Sequence, residues 1–280
     1  MNIGFIGAGR VGFSLGKYFS ENGINVSGYY SKNPMSAKAA ADFASGTPFE
    51  TVGALLEHSD IVFVTVPDDS IASVWRELKL SGVFGKILCH CSGALESCVF
   101  DGCEAYGCSC CSVHPLLAVS DKLTSYEKFK SAVFTVEGRN ESAELLTKIL
   151  ESCSNKVVRI SPENKSRYHA AAVMVSNLSI ALTDCALSEL ERCGFSRKTA
   201  LDALSPLIFE NTINMLKNGL ENSLTGPVER NDVYTVKKHL NTLSGDSREI
   251  YRLLSVKAMN IAELKNTDRN YNELGEILSE

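Results

Sequence analysis

The chain has 280 residues, 44% hydrophobic and 22% charged, with a net charge of −5. That length fits one or two globular domains, and an acidic balance with no basic run interleaved with aromatics excludes a nucleic-acid partner. No run approaches the roughly 18 apolar residues of a spanning helix. The opening MNIGFIGAGRVG lacks a charged segment leading into a long apolar stretch and cleavage site, so a cytoplasmic protein without a membrane partner is expected.

Asn2 to Ile6 form a short apolar run, then comes the turn Gly7-Ala8-Gly9-Arg10-Val11-Gly12, and then a helical stretch that stops at Asn22-Gly23. Strand, glycine turn and helix in that order are what a dinucleotide site requires. Gly7 makes the tight turn, Gly9 lets a pyrophosphate approach the backbone, and Gly12 lets the helix pack on the strand, with free N–H groups facing the phosphates. An NAD site places an acidic residue at the end of the second strand, on the ribose diol. Here INVSGYY ends in Ser31 and Lys32 with no carboxylate. Ser31 and Lys32 suit a 2′-phosphate and Arg10 adds charge, so the expected cofactor is NADP (NADPH). A solvated loop lysine at position 32 is the other reading.

Further strands follow at α/β spacing. DIVFVTVP ends in a loop, Val66, Pro67 and Asp68, expected beside the cofactor; KILCHCSGAL and GCSCCSVHPL end near Ser92 and His114; SAVFTVEG and KVVRI complete the sheet. Ligands lie outside the carboxyl ends of such strands. Ser92 is therefore both a cofactor contact and a catalytic candidate, and His114 a catalytic candidate, unless His114 is a strand-end histidine bonded to backbone. Seven of the ten cysteines crowd between Cys89 and Cys111. They have no CxxC pair and poor spacing for a tetrahedral metal site. Buried thiols acting as small hydrophobes are expected, and no metal.

From Pro162 onward the β pattern ceases, and segments at helical period cover 164–193, 197–218, 230–243 and 246–264. The expected organisation is an α/β Rossmann-type parallel-sheet domain over 1–161, followed by an all-helical substrate and dimerisation domain over 162–280. The stretch NKSRYHAAAVMVSN opens the helical half. At about 100° per residue, Lys165, His169, Ala172, Ser176, Ser179 and Thr183 share one side, opposite Met174, Leu178 and Leu182. A polar side of such small residues suits a helix covered by cofactor, substrate or another helix; plain close packing would use the same residues.

The motifs GFIGAGRVG, CSGAL, SVHPL, YHAAAVMVSN and GPVERND resemble, over about the whole chain, a family of NADP oxidoreductases. In that family a Rossmann-like domain precedes a helical domain of unknown function of the DUF2520 type. The wider class includes β-hydroxyacid dehydrogenases, ketopantoate reductases, prephenate dehydrogenases and pyrroline-carboxylate reductases. The resemblance implies hydride transfer between nicotinamide and a small carbonyl or hydroxy substrate bearing a carboxylate, and a homodimer. Lys165 matches the catalytic lysine of two of these groups. His169 stands where they carry asparagine, and histidine can also exchange a proton. Ser176 and Asn177, at the end of the stretch that opens the helical half, are substrate-binding candidates, and the resemblance implies Glu229, Arg230 and Asp232 as substrate-binding or dimer-contact candidates, although Asp232 also suits the first turn of a helix. A dinucleotide-binding sensor without turnover is the alternative function, and a thiol-rich metal protein a third.

Overall fold

The computed structural model describes residues 1–279, which divide into two compact units, Met1–Ser176 and Asn177–Glu280. In the first unit an eight-stranded sheet has the order β3-β2-β1-β4-β5-β6-β7-β8. Its strands are β1 (Asn2–Ile6), β2 (Asn25–Tyr30), β3 (Thr47–Pro48), β4 (Ile61–Val64), β5 (Ile87–His90), β6 (Ser109–Pro115), β7 (Val133–Gly138) and β8 (Lys156–Arg159). Its helices are α1 (Arg10–Glu21), α2 (Pro34–Ala44), α3 (Val52–Glu57), α4 (Asp68–Leu80), α5 (Ser125–Lys128), α6 (Asn140–Ser152) and α7 (Lys165–Val175).

The central strands are apolar on both faces because helices cover both faces of the sheet. Alternate residues therefore enter two separate cores. Phe5, Phe63, Cys89, Cys111 and Val113 join one, and Ile6, Val62, Val64, Leu88 and Cys110 join the other. The strand cysteines thus behave as core side chains. Burial pushes the thiols of Cys89, Cys110 and Cys111 up, Cys111 to about 12.

Strands β1, β2, β4, β5 and β6 are mutually parallel, whereas β7 runs antiparallel to β6, with Val113 opposite Val136 and His114 opposite Thr135. This reversal within an otherwise parallel sheet sets Thr135 beside the carboxyl end of β6. The chain winds outward from β1 to β2 and β3, then returns to place β4 on the other side of β1. The crevice of such a sheet lies at this switch point.

The second unit is helical: α8 (Asn177–Arg192), α9 (Arg197–Asn218), α10 (Leu220–Ser223), α11 (Val233–Thr242), α12 (Gly245–Lys265) and α13 (Asn272–Ser279). Its core gathers Val228, Val236, Leu240, Ala262, Tyr271, Leu274 and Leu278, drawn largely from α11, α12 and α13. Helices α8 and α9 instead leave Ile180, Phe209 and Leu216 at 71%, 63% and 78% exposure.

Two expectations change. The first compact unit runs past Ser161–Pro162 to Ser176, because the Lys165 and Tyr168 side chains of α7 bond into the sheet. The single helix expected over 164–193 is divided: Ser176, with φ −107° and ψ −82°, ends α7, and α8 starts at Asn177. The stretch Pro162–Arg192 has the length and mean apolarity of a membrane-crossing segment by length and composition only. Its start, however, is held to the sheet by Lys165.

Candidate active site

The glycine turn joins β1 to α1. Gly7 has φ +102°, a conformation that favours glycine, and a Cβ there would come to 2.8 Å from the Thr65 carbonyl. A Cβ on Gly12 would overlap Thr65 Oγ1 and lie 2.5 Å from the Gly7 carbonyl, so the absence of a side chain lets α1 sit against β4. Gly9 differs: a Cβ there would meet nothing nearer than 3.8 Å. That open space lies at the N-cap of α1, which no side chain caps, and it is where a pyrophosphate would approach the helix N–H groups. The residues present fit a dinucleotide.

Thr65, which follows β4, donates through Oγ1 to the Gly7 carbonyl at 2.8 Å and fixes the turn. Ala8, Arg10 and Val11 belong to the same turn, with Arg10 exposed; Ser31 and exposed Lys32 follow β2; Val66, Pro67 and Asp68 follow β4. All the cofactor candidates expected from the sequence therefore line one edge of the sheet. No dinucleotide contact follows for Ser92 from its bonds, which are all internal.

Ser92 follows β5. Its hydroxyl donates to Asp68 Oδ2 at 2.6 Å and accepts from the N–H groups of Ala94 and Leu95 at 3.2 and 2.9 Å. With its donor and acceptor capacity engaged in these bonds, the Ser92 hydroxyl positions the loop that follows β5. Its carbonyl receives bonds from Ser112 Oγ at 3.2 Å and Lys165 Nζ at 2.8 Å. Lys165 Nζ donates a second bond to Ser112 Oγ at 2.5 Å.

Lys165 is only 1% exposed. Burial pulls its pKa down to about 8, against the pull of Glu137, Cys91, Asp68 and Glu96 in the other direction. The ammonium ties α7 to the β5 and β6 ends through these two bonds. Glu137, also buried, accepts from the N–H and hydroxyl of Ser97 at 2.7 Å each.

Three histidines surround this lysine. His90 is buried; its Nδ1 accepts from the Ser92 N–H at 3.2 Å, so the ring's proton sits on Nε2, which donates to the Glu96 carbonyl at 3.1 Å. Burial holds it down to about 4, with the Glu96 bond working against the shift. It is a structural histidine. His114, at the end of β6, places Nδ1 2.8 Å from the Tyr168 hydroxyl. Its pKa is also down to about 4, first from burial and then from Lys165, His169 and His90. Its Nε2 has no hydrogen-bond partner among the described residues.

The His169 ring stands edge-to-face to His114, centroids 6.0 Å apart, and its Nδ1 is a buried polar atom without a partner. Both rings converge on Gly93: a Cβ there would overlap His169 Nδ1 and lie 3.0 Å from His114 Nε2. Glycine at 93 thus makes room for two imidazole nitrogens aimed at one place. CSGAL, SVHPL and YHAAAV, distant in sequence, meet here.

The remaining candidates separate from this cluster. Ser176 Oγ bonds back to the Ala172 carbonyl at 2.7 Å, and Thr183 Oγ1 to the Ser179 carbonyl at 2.9 Å. These hydroxyls lie on two helices, which corrects the single covered stripe; Asn177 starts the second of them. In the second unit GPVERND is a turn closed by Arg230 N–H to Gly226 O and Asp232 N–H to Pro227 O. Glu229 accepts from Asn266 Nδ2 at 3.2 Å and pairs with Lys265 at 3.5 Å. Asp232 caps α11 through the N–H and hydroxyl of Thr235 at 3.0 and 2.8 Å. Both carboxylates are engaged in holding the turn, while Arg230 is exposed.

Sequence reasoning missed Tyr168, Thr135, Gly93 and Glu137. Tyr168 carries a usable signal, since it stands three residues after Lys165, on the same helical side. Thr135 and Glu137 carry no local signal.

A Rossmann-like domain model matches residues 1–115, and the model of a domain of unknown function, DUF2520, matches residues 132–258. The Thermotoga maritima protein TM1727 is 28% identical over 94% of this chain and 99% of its own, with a TM-score of 0.76. BF3122 from Bacteroides fragilis, described as an NADP oxidoreductase, is 24% identical over 92% and 98%, TM-score 0.67. Plasmodium falciparum pyrroline carboxylate reductase, solved with NADP bound, is 15% identical over 94% and 98%, TM-score 0.58. The last two are likenesses of fold. No match to a curated protein reaches significance. The chain joins a Rossmann-like domain to a domain of the DUF2520 family.

Proposed function

We propose that this protein is an NADP-dependent oxidoreductase that moves a hydride between nicotinamide and a small carbonyl or hydroxy compound bearing a carboxylate. One observation carries the reading: the sheet edge that holds the glycine turn also holds the His114–His169 pair. Asp68, Ser92 and Lys165 link the two by hydrogen bonds of 2.6 and 2.8 Å. From β1 to β5 is two strand spacings, about 10 Å, so a dinucleotide extended across the switch point brings its far end toward Gly93.

The dinucleotide, when bound, supplies or accepts the hydride. The chain's own residues do the rest. The N–H groups at the start of α1 hold the pyrophosphate. Ser31 and Lys32, with no carboxylate at the end of β2, favour a 2′-phosphate and hence NADP over NAD. His114 Nε2 and His169 face the reacting oxygen, while Lys165 and Ser92 keep the loop beneath them in place. Arg230, exposed and with no ion pair among the described residues, is the candidate for a substrate carboxylate. We further place the protein in the cytoplasm as a homodimer, a reading supported by the exposed apolar side chains of α8 and α9.

The names of the structural relatives, NADP oxidoreductase and NADP-bound reductase, support this reading. A sensor that binds the dinucleotide without turnover would keep the glycine turn and have no use for the imidazole pair. The test is parallel titration with NADPH and NADH by nicotinamide fluorescence, then NADPH oxidation across 2-oxo acids, aldehydes and cyclic imines. Tighter NADPH binding and oxidation by a carbonyl compound are expected. Binding without oxidation supports the sensor, and no binding of either refutes both.

A further inference from the structure

We propose that Tyr168 is the proton source of the reduction, acting through His114. His114 bridges two surroundings. Its Nδ1 lies 2.8 Å from the Tyr168 hydroxyl, with the rings edge-to-face at 5.6 Å and 84°; its Nε2 faces the space beside Gly93. A phenol is a better donor than acceptor, and an imidazole nitrogen accepts well, so Tyr168 donates to Nδ1. The neutral ring then carries its proton on Nε2, aimed at the substrate position. The ring is neutral because burial and the charged or chargeable groups around it, Lys165, His169 and His90, oppose a second proton.

A neutral imidazole cannot give up its only N–H proton unless the other nitrogen is refilled, and Tyr168 is the group placed to refill it. When a hydride from reduced nicotinamide reaches the carbonyl carbon, the C=O π pair becomes a lone pair on oxygen. That oxygen takes the Nε2 proton, Nδ1 takes the Tyr168 proton, and the histidine ends neutral with its tautomer exchanged. Tyr168 is left as a phenolate; after product leaves, Nε2 takes a proton from water and Nδ1 returns its own to Tyr168, which restores the starting tautomer. Thr135, opposite His114 on β7, donates to the His114 carbonyl at 3.5 Å; burial raises the Tyr168 pKa, and the nearby Thr135 hydroxyl works against the rise. Tyr168 is thus a positioning and relay residue, with His114 the group that touches substrate.

The inference rests on the reductase reading, so its test has an arm without substrate. In the free protein labelled with ¹⁵N-histidine, NMR at pH 7 should show His114 protonated on Nε2 and bare on Nδ1. Tyr168→Phe should give mixed tautomers at that one ring. With NADPH and the best carbonyl compound of the panel, Tyr168→Phe should lose about 100-fold in turnover with its NADPH dissociation constant within twofold. The proton inventory in mixed H₂O and D₂O should change from curved, two protons in flight, to linear. Thr135→Val should slow turnover and keep the wild-type tautomer. A proton on Nδ1 in the wild type overturns the relay whether or not Tyr168→Phe folds. So does unchanged turnover with an unchanged inventory in Tyr168→Phe. The expected tautomer in a wild type that oxidises NADPH with no compound of the panel overturns the reductase reading, and the relay falls with it.

Discussion

Replacing Lys165 by Met removes the ammonium and keeps an unbranched side chain of similar reach. Burial holds this lysine at about 8 against its ordinary 10.5, which makes the buried cation unfavourable by about 3 kcal/mol. The penalty is present in full below pH 8 and is relieved as pH rises from 8 to 10.5. Across that window the unfolded chain binds more protons than the folded one, so stability climbs with pH. Lys165→Met removes this penalty but leaves the buried Ser92 O and Ser112 Oγ without the ammonium's two bonds, a loss of roughly 1–3 kcal/mol each, so the two effects oppose each other near neutrality. The change in stability at pH 7 is therefore small, and the slope is the observable. Relative to Lys165→Met, the wild type should gain about 3 kcal/mol between pH 7.5 and 10.5, or roughly 1.5 M in urea midpoint for a slope near 2 kcal/mol/M. The single tryptophan, Trp75, is 3% exposed in the core of the sheet unit, so its fluorescence reports the unit that contains Lys165. Parallel stability curves for the two proteins over this range would refute the buried ammonium.

Two further predictions separate binding from architecture. Gly9→Ala should leave thermal stability within about a degree yet weaken NADPH binding at least tenfold, because the new Cβ meets open space in the protein but enters the pyrophosphate's path. Gly12→Ala should lower both, since its Cβ meets the Gly7 backbone; calorimetry and fluorescence titration read the pair, and equal stability losses would sink the distinction. Asp232→Ala should cost about 1 kcal/mol as a lost helix cap and leave NADPH binding unchanged, measured by denaturant melts and the same titration. No loss of stability would return Asp232 to the substrate candidates.

Features that depend on near neighbours are legible in the sequence. The glycine turn between β1 and α1, the strands from β2 through β8 other than the two-residue β3, and α9 over Arg197–Asn218 follow from glycine spacing and from periods of two and 3.6. The break at Ser176 is not legible there, because Ser and Asn within an apolar helical run do not by themselves end a helix. Among the site candidates, His114 and His169 converge as a pair, while Ser92, Glu229 and Asp232 turn out to be committed to holding loops.

The difference is one of capacity against partner. Sequence alone determined which side chains could donate, accept or titrate, and where local pattern would put them at a strand end or on a helix. Only the tertiary structure decided who uses that capacity. The antiparallel β7 sets Thr135 opposite His114, Asp68 takes the hydroxyl of Ser92, and α7 lowers Lys165 into the sheet while Tyr168 reaches His114. Those pairings join residues from 21 to 73 positions apart. They are set by strand order and helix packing, which no window of neighbouring residues contains.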